Sequence, residues 1–215
     1  MILVIASEKG GTGKTTLATN LAIMRAIEGK DVLLVDADPQ SSSLDFIGVR
    51  EEEGHKPSIT VSAIYGRNLS SELKKLAPKF DDIIVDVGGR DSTSLRSSLL
   101  AANVLVVPFL PSQLDAWSIE KMDTIVGEVL QLNEGLKTIV VLNKVDTNPK
   151  ILLSAEASDF ATECEFLKFS DLTMGYRVSY RKAIAEGKSV VELPKKDTEK
   201  ALKEITKIYQ EVFKK

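Results

Sequence analysis

The sequence predicts an α/β fold, a doubly wound and mostly parallel sheet flanked by helices, in a single domain spanning 1–215. Three observations predict it. Short apolar runs alternate with segments of helical character along the 215 residues. The runs are rich in Val, Ile and Leu on both faces, as strands covered on two sides must be. The first run leads directly into a glycine-rich turn and then a helix.

Ile2–Ala6 is the first strand, an apolar β-branched run, and Lys14–Glu28 the helix after the turn. Asp31–Val35, Ile83–Val87, Val104–Pro108 and Thr138–Leu142 repeat the strand pattern. Ser94–Ala102, Ser118–Asn133, Pro149–Glu163 and Thr198–Lys214 are the further helices expected. Pro108 and Pro111 remove backbone donors and stiffen the exit from their strand. Arg50–Ser58 is charged, contains Gly54 and Pro57, and reads as an exposed loop. His55, the only histidine, lies in that loop and receives no catalytic role. The last helix carries Leu202, Ile205, Ile208, Tyr209, Val212 and Phe213 on one stripe, which fits packing on a core.

Composition narrows the function classes. The chain has one cysteine, Cys164, so an internal disulfide is ruled out and a thiolate-held cluster is disfavoured. There is no secretory leader pattern and no apolar run of membrane-spanning length, so a cytoplasmic protein is expected. Net charge is −3, but 173–215 holds eleven Lys/Arg against six Asp/Glu. That asymmetry fits a basic surface at the C-terminal end.

The chemistry starts at Lys9-Gly10-Gly11-Thr12-Gly13-Lys14-Thr15-Thr16. Strand, glycine-rich turn and helix together make a phosphate-binding loop. Glycines let successive N–H groups converge on an anion, and the helix N-terminus adds its positive end. Lys14 is placed to reach the β- and γ-phosphates, and the Thr15 hydroxyl to ligate Mg²⁺. Glu8 stands where the general pattern has glycine, and a second lysine, Lys9, opens the loop. Asp36 and Asp38, at i and i+2 of an extended segment, point to one side near the loop. Asp86 follows the apolar run Ile83-Ile84-Val85 at a strand end, where a carboxylate can hold a Mg²⁺-bound water. Gly88 and Gly89 just beyond it let backbone N–H groups approach a γ-phosphate. The segment Asn143-Lys144-Val145-Asp146 has the form of the guanine-reading motif of GTPases.

The loop with its front lysine resembles the deviant Walker A box of the ParA/MinD-type ATPases, and Asp36-Ala37-Asp38-Pro39-Gln40 resembles that family's second box. The resemblance extends from Ile2 to the last helix. It implies an ATP- and Mg²⁺-dependent homodimer in which Lys9 reaches the partner's nucleotide. It further implies that Asp38 orients or deprotonates the attacking water, that Asp36 helps hold Mg²⁺ through water, and that Asn143 contacts adenine. The segment from Phe169 to Glu192 resembles the family's basic stretch, in which Arg177, Arg181, Lys182 and Lys188 are candidates for contacts to nonspecific DNA. The loop opens so near residue 1 that no helix-turn-helix extension for sequence-specific DNA reading is expected. On this reading the protein is nucleoid-associated. It drives plasmid or chromosome partition, or positions another cargo, with slow hydrolysis stimulated by a small ParB-like adaptor. Two alternatives stay open: a MinD-like membrane-associated regulator using the last helix, ranked below DNA binding, and a GTPase reading guanine through Asn143 and Asp146.

Overall fold

The computed structural model describes residues 1–89, 92–110, 116–145 and 163–213. Seven strands form one sheet: β1 (Ile2–Ile5), β2 (Val32–Ala37), β3 (Thr60–Ala63), β4 (Asp82–Val87), β5 (Val104–Phe109), β6 (Lys137–Val145) and β7 (Phe169–Gly175). Their spatial order is β3-β2-β4-β1-β5-β6-β7, and every neighbouring pair is parallel. Among the described residues these helices cover it: α1 (Lys14–Ile27), α2 (Ser42–Glu52), α3 (Leu69–Leu76), α4 (Thr93–Leu99), α5 (Ala116–Leu130), α6 (Val178–Ala185) and α7 (Glu199–Phe213).

Alternation along each strand feeds two cores. Val4, Val35 and Val85 point to the layer of α3, α4 and α5, where they meet Leu73, Leu95, Leu99 and Met122. Leu3, Ile5 and Leu34 point to the opposite layer, against Leu17, Leu21, Phe46 and Ile205 of α1, α2 and α7. The apolar stripe of α7 is therefore spent on the sheet: Ile205, Ile208, Tyr209 and Val212 are all buried. Tyr209 also donates to Glu28 at 2.6 Å. Among the described residues no helix is long and apolar enough to cross a membrane.

The five strands and most of the helices expected from sequence are present, with ends moved by a few residues. The expected helix at Pro149–Glu163 lies, except for Glu163, outside the described residues. Two strands and three helices were not expected. β3 is a four-residue edge strand whose residues are only half-buried or exposed, so it has no apolar run to announce it. β7 interleaves Ser170, Asp171 and Thr173 with its apolar residues. α2 opens on Ser42-Ser43, just after Ser41, and α3 on Leu-Ser-Ser, sequences that read as turns. α6 was read as a basic, aromatic-bearing segment without a helix assigned to it.

The segment Arg50–Ser58 corrects the exposed-loop expectation at its first residue. α2 continues to Glu52, and Arg50 is 1% exposed. Its guanidinium donates to both carboxylate oxygens of Glu192, each at 2.9 Å, and to the carbonyls of Pro57 and Gly187. Gly187 has φ +63° and lies so close that a Cβ there would stand 2.6 Å from the Arg50 amide nitrogen. A buried guanidinium is tolerated because every side of it meets an acceptor. Replacing Glu192 with alanine leaves that charge unpaired, and Glu192→Ala is expected to lower unfolding free energy by about 3 kcal/mol in urea denaturation. A loss below about 1 kcal/mol would contradict this account of the pair.

Candidate nucleotide site

The site forms where β1, β2 and β4 end side by side. Register places Ile5 and Asp36 on either side of Asp86. The chain leaves β1 through Ser7–Gly13 and enters α1 at Gly13, which has φ +96°. Among the described residues no side chain caps α1, so its first N–H groups face the cleft, as anion recognition requires. Ser7 and Thr12 hydroxyls bond at 2.6 Å across the loop and hold its curve.

Lys14 is buried, and its ammonium donates to the Lys9 carbonyl at 3.1 Å and to Ser7 Oγ at 3.4 Å. Burial lowers its pKa, while the charges of Asp86 and Asp38 work against that shift. The Lys9 side chain, by contrast, is exposed at the front of the loop. Two lysines of one loop thus face different surroundings.

Asp86 is the most constrained carboxylate. Its Oδ2 accepts from Thr15 Oγ1 at 2.6 Å and from Ser43 Oγ at 2.8 Å. Its Oδ1 is buried with no hydrogen-bond partner among the described residues. Burial pushes its pKa up to about 6, against the pull of the Thr15 and Ser43 hydrogen bonds. An orphaned carboxylate oxygen beside a threonine hydroxyl is a donor set that suits a hard cation. The residues present fit Mg²⁺, which Thr15 and Asp86 would hold.

Asp36 is fully buried and accepts three backbone N–H bonds, from Asp38 at 3.0 Å, Ser43 at 2.8 Å and Leu44 at 3.0 Å. Its pKa is raised chiefly by burial, against those three hydrogen bonds. Both its oxygens are thus occupied in ordering the turn into α2. Asp38 is half-buried at the cleft, with Oδ1 accepting from Gln40 N at 3.0 Å. Gly88 admits it: a Cβ at that glycine would lie 3.0 Å from the Asp38 carboxyl carbon. Gly89 presses on the loop itself, where a Cβ would stand 2.9 Å from Gly10 N. The segment after Asp86 therefore lies against both the Asp38 carboxylate and the glycine-rich loop.

A cleft of 530 Å³ is lined by Gly10, Gly11, Gly13, Lys14, Thr15 and Thr16 on one side and by Asp38, Lys144, Tyr176 and Arg181 on others. An adjoining pocket of 280 Å³, mostly apolar, lies between Asn143, Met174, Tyr176 and Tyr180 and suits a planar base. Asn143 is buried, donates to the Thr12 carbonyl and accepts from Lys144 N at 2.7 Å. A Cβ at Gly13 would stand 2.1 Å from the Asn143 amide nitrogen, so only glycine fits there. Asp146 lies outside the described residues.

The four basic candidates of the C-terminal segment differ in what holds them. Arg177 is held by Glu204, with Nε 3.0 Å from both carboxylate oxygens. Lys188 pairs with Glu186 at 3.0 Å, and Lys182, exposed, lies 4.0 Å from the same carboxylate. Arg181 stacks 5.2 Å from the Tyr176 ring centroid, over the nucleotide cleft. Sequence reasoning missed Ser43, Met174 and Tyr176. Ser43 sits in a run of three serines with nothing to single it out, and the other two reach the site only through β7 and the turn after it.

Residues 3–190 match the family described as the CobQ/CobB/MinD/ParA nucleotide binding domain. The chain is 31% identical to Maintenance of carboxysome distribution protein A of Halothiobacillus neapolitanus, over 98% of this chain and 95% of that protein. It is 54% identical over 52 residues to the chromosome-partitioning ATPase Soj of Thermus thermophilus, a match covering 24% of this chain and 21% of Soj. The ATP complex of Cyanothece McdA superposes with a TM-score of 0.78 at 21% identity, over 98% of this chain and 95% of that one. Family match, near-full-length relative and site geometry agree: the chain belongs to the CobQ/CobB/MinD/ParA family and is an ATPase of its ParA/MinD branch.

Proposed function

We propose that this ATPase forms a homodimer on binding ATP and Mg²⁺, that the dimer binds nonspecific DNA, and that hydrolysis stimulated by a small ParB-like partner releases it. The output is partition of DNA or positioning of a cargo on the nucleoid. The observation that carries this reading is Lys9. Lys14 already serves the phosphates of its own protomer from a buried position, whereas Lys9 is exposed at the loop front, where a second copy can receive it. The names of the relatives support the output: one maintains carboxysome distribution and another partitions chromosomes.

In the dimer, Asp38 holds the attacking water in line with the γ-phosphorus and takes its proton. Lys14 and the partner's Lys9 offset the charge on the γ-phosphoryl oxygens as the bond to the leaving oxygen breaks. Thr15 and Asp86 would hold Mg²⁺, which would supply charge neutralisation at the phosphates, and Ser43 fixes the Asp86 carboxylate through its hydroxyl. Gly88 and Gly89, which touch Asp38 and Gly10, carry the change on phosphate loss to the rest of the surface. DNA contact falls to α6 and the residues flanking it, where Arg177, Arg181, Lys182 and Lys188 lie; of these, Arg181 and Lys182 are exposed.

Lys9→Ala is expected to leave ATP affinity of the monomer unchanged, to abolish the ATP-dependent dimer in sedimentation, and to slow turnover about 100-fold or more. A dimer and turnover equal to those of the unsubstituted chain would remove this reading. A second expectation follows from Asp86. Below about pH 6 its carboxyl carries a proton, and that proton must leave before the group can serve a cation. Mg²⁺ affinity of the ATP-loaded protein, measured by calorimetric titration, is therefore expected to fall as pH drops through about 6. The slope beyond that of Mg²⁺ with free ATP is expected to vanish in Asp86→Asn; an unchanged slope would contradict the assignment.

A further inference from the structure

The chain contains a single tryptophan, Trp117, and it is 80% exposed. It lies in the first turn of α5, the helix that follows β5 and starts at the same end of the sheet as the nucleotide cleft. Lone exposed aliphatic residues need no explanation, but the largest apolar side chain left in water at a functional end does. Its neighbours say which surface it belongs to. Lys121 is four residues further on and shares its helix face, about 6 Å along the axis. Lys121 forms an ion pair with Glu8, the residue before Lys9. Glu8 takes the place of the glycine of a standard phosphate loop and is mostly buried, its carboxylate anchored to α5. The front of the phosphate loop and the face of α5 that bears Trp117 are thereby fastened into one surface.

We propose that Trp117 packs against the second copy of this chain in the ATP-bound dimer, as an anchor of that interface. The inference rests on the dimer reading above and adds a residue to it. A lysine side chain spans about 6 Å, so Lys9 can serve the partner's phosphates only if the loop fronts come into close contact. A two-fold dimer built on that contact brings both α5 faces to the same seam. There the indole is withdrawn from water. Tryptophan is the side chain most enriched among residues that dominate interface energy. The Glu8–Lys121 pair ties this anchor to the loop, so that nucleotide occupancy and the apolar contact are read by one surface.

Because Trp117 is the only tryptophan, its emission reports this contact without labelling. Fluorescence and iodide quenching are measured across a range of protomer concentrations with Mg²⁺ and either ADP or adenylyl imidodiphosphate, and sedimentation gives the dimer fraction in the same samples. With the triphosphate analogue the emission is expected to move to shorter wavelength and quenching to drop several-fold, both in proportion to the dimer fraction. With ADP the indole stays exposed. Trp117→Ala is expected to raise the dimer dissociation constant roughly thirtyfold, with nucleotide affinity of the monomer unchanged. A dimer whose tryptophan emission and quenching equal those of the monomer overturns the inference and leaves the dimer reading standing. A spectral change already complete in monomeric samples also overturns it. Absence of any dimer overturns both.

Discussion

The carboxylate of Asp86 joins three parts of the chain that are far apart in sequence. It ends β4, receives the hydroxyl of Thr15 from the start of α1, and receives the hydroxyl of Ser43 from the start of α2. The group sits where β1, β2 and β4 finish together, with 1% of its surface exposed. Burying an ionisable group there costs free energy, and the cost appears as a pKa near 6 and an oxygen without a partner. That unmet acceptor, beside the Thr15 hydroxyl, suits the cation proposed for this site.

Asp36 does the complementary work one strand away. Three N–H groups converge on it, two of them from the first turn of α2, so this carboxylate substitutes for a helix cap and sets where Ser43 stands. The other end of α2 is fixed by Arg50, whose guanidinium binds Glu192 and the Gly187 carbonyl. The same turn is secured beneath α1, where Asn20 accepts from Ser189 Oγ at 2.7 Å and Val190 N at 2.9 Å. α2 is thus held at one end by the nucleotide site and at the other by the turn that ends the basic α6 segment. A helix clamped at both ends moves as a body.

Much of this was legible in the sequence because five of the strands carry a continuous apolar run and the phosphate loop is a local motif. Lys14 and Thr15 announce themselves by their place in the loop motif, Asp38 and Asp86 by theirs at strand ends. The elements that escaped are those whose signal is not local. β3 and β7 owe their existence to neighbours that supply the other half of each ladder, and Ser43 earns its place from a carboxylate 43 residues away. Arg50 looked like a loop charge because its partner lies 142 residues further on. The basic residues of the C-terminal segment show the opposite limit. Their charge is visible in composition, but Arg177 is neutralised by Glu204 and Arg181 leans over the cleft, and neither fact has a trace in spacing.

The central claim is that two protomers share each active site, with Lys9 of one completing the cleft of the other. It can be tested most directly by mixing two variants, Lys9→Ala and Asp38→Ala, each expected to be defective in hydrolysis on its own. In a mixed dimer the Lys9→Ala protomer retains its own Asp38 and receives Lys9 from its neighbour, so one complete site is rebuilt. ATP turnover of the mixture is expected to rise well above that of either variant alone, with a maximum near equal proportions. A mixture no more active than the mean of its components would contradict the shared site and assign Lys9 to its own protomer.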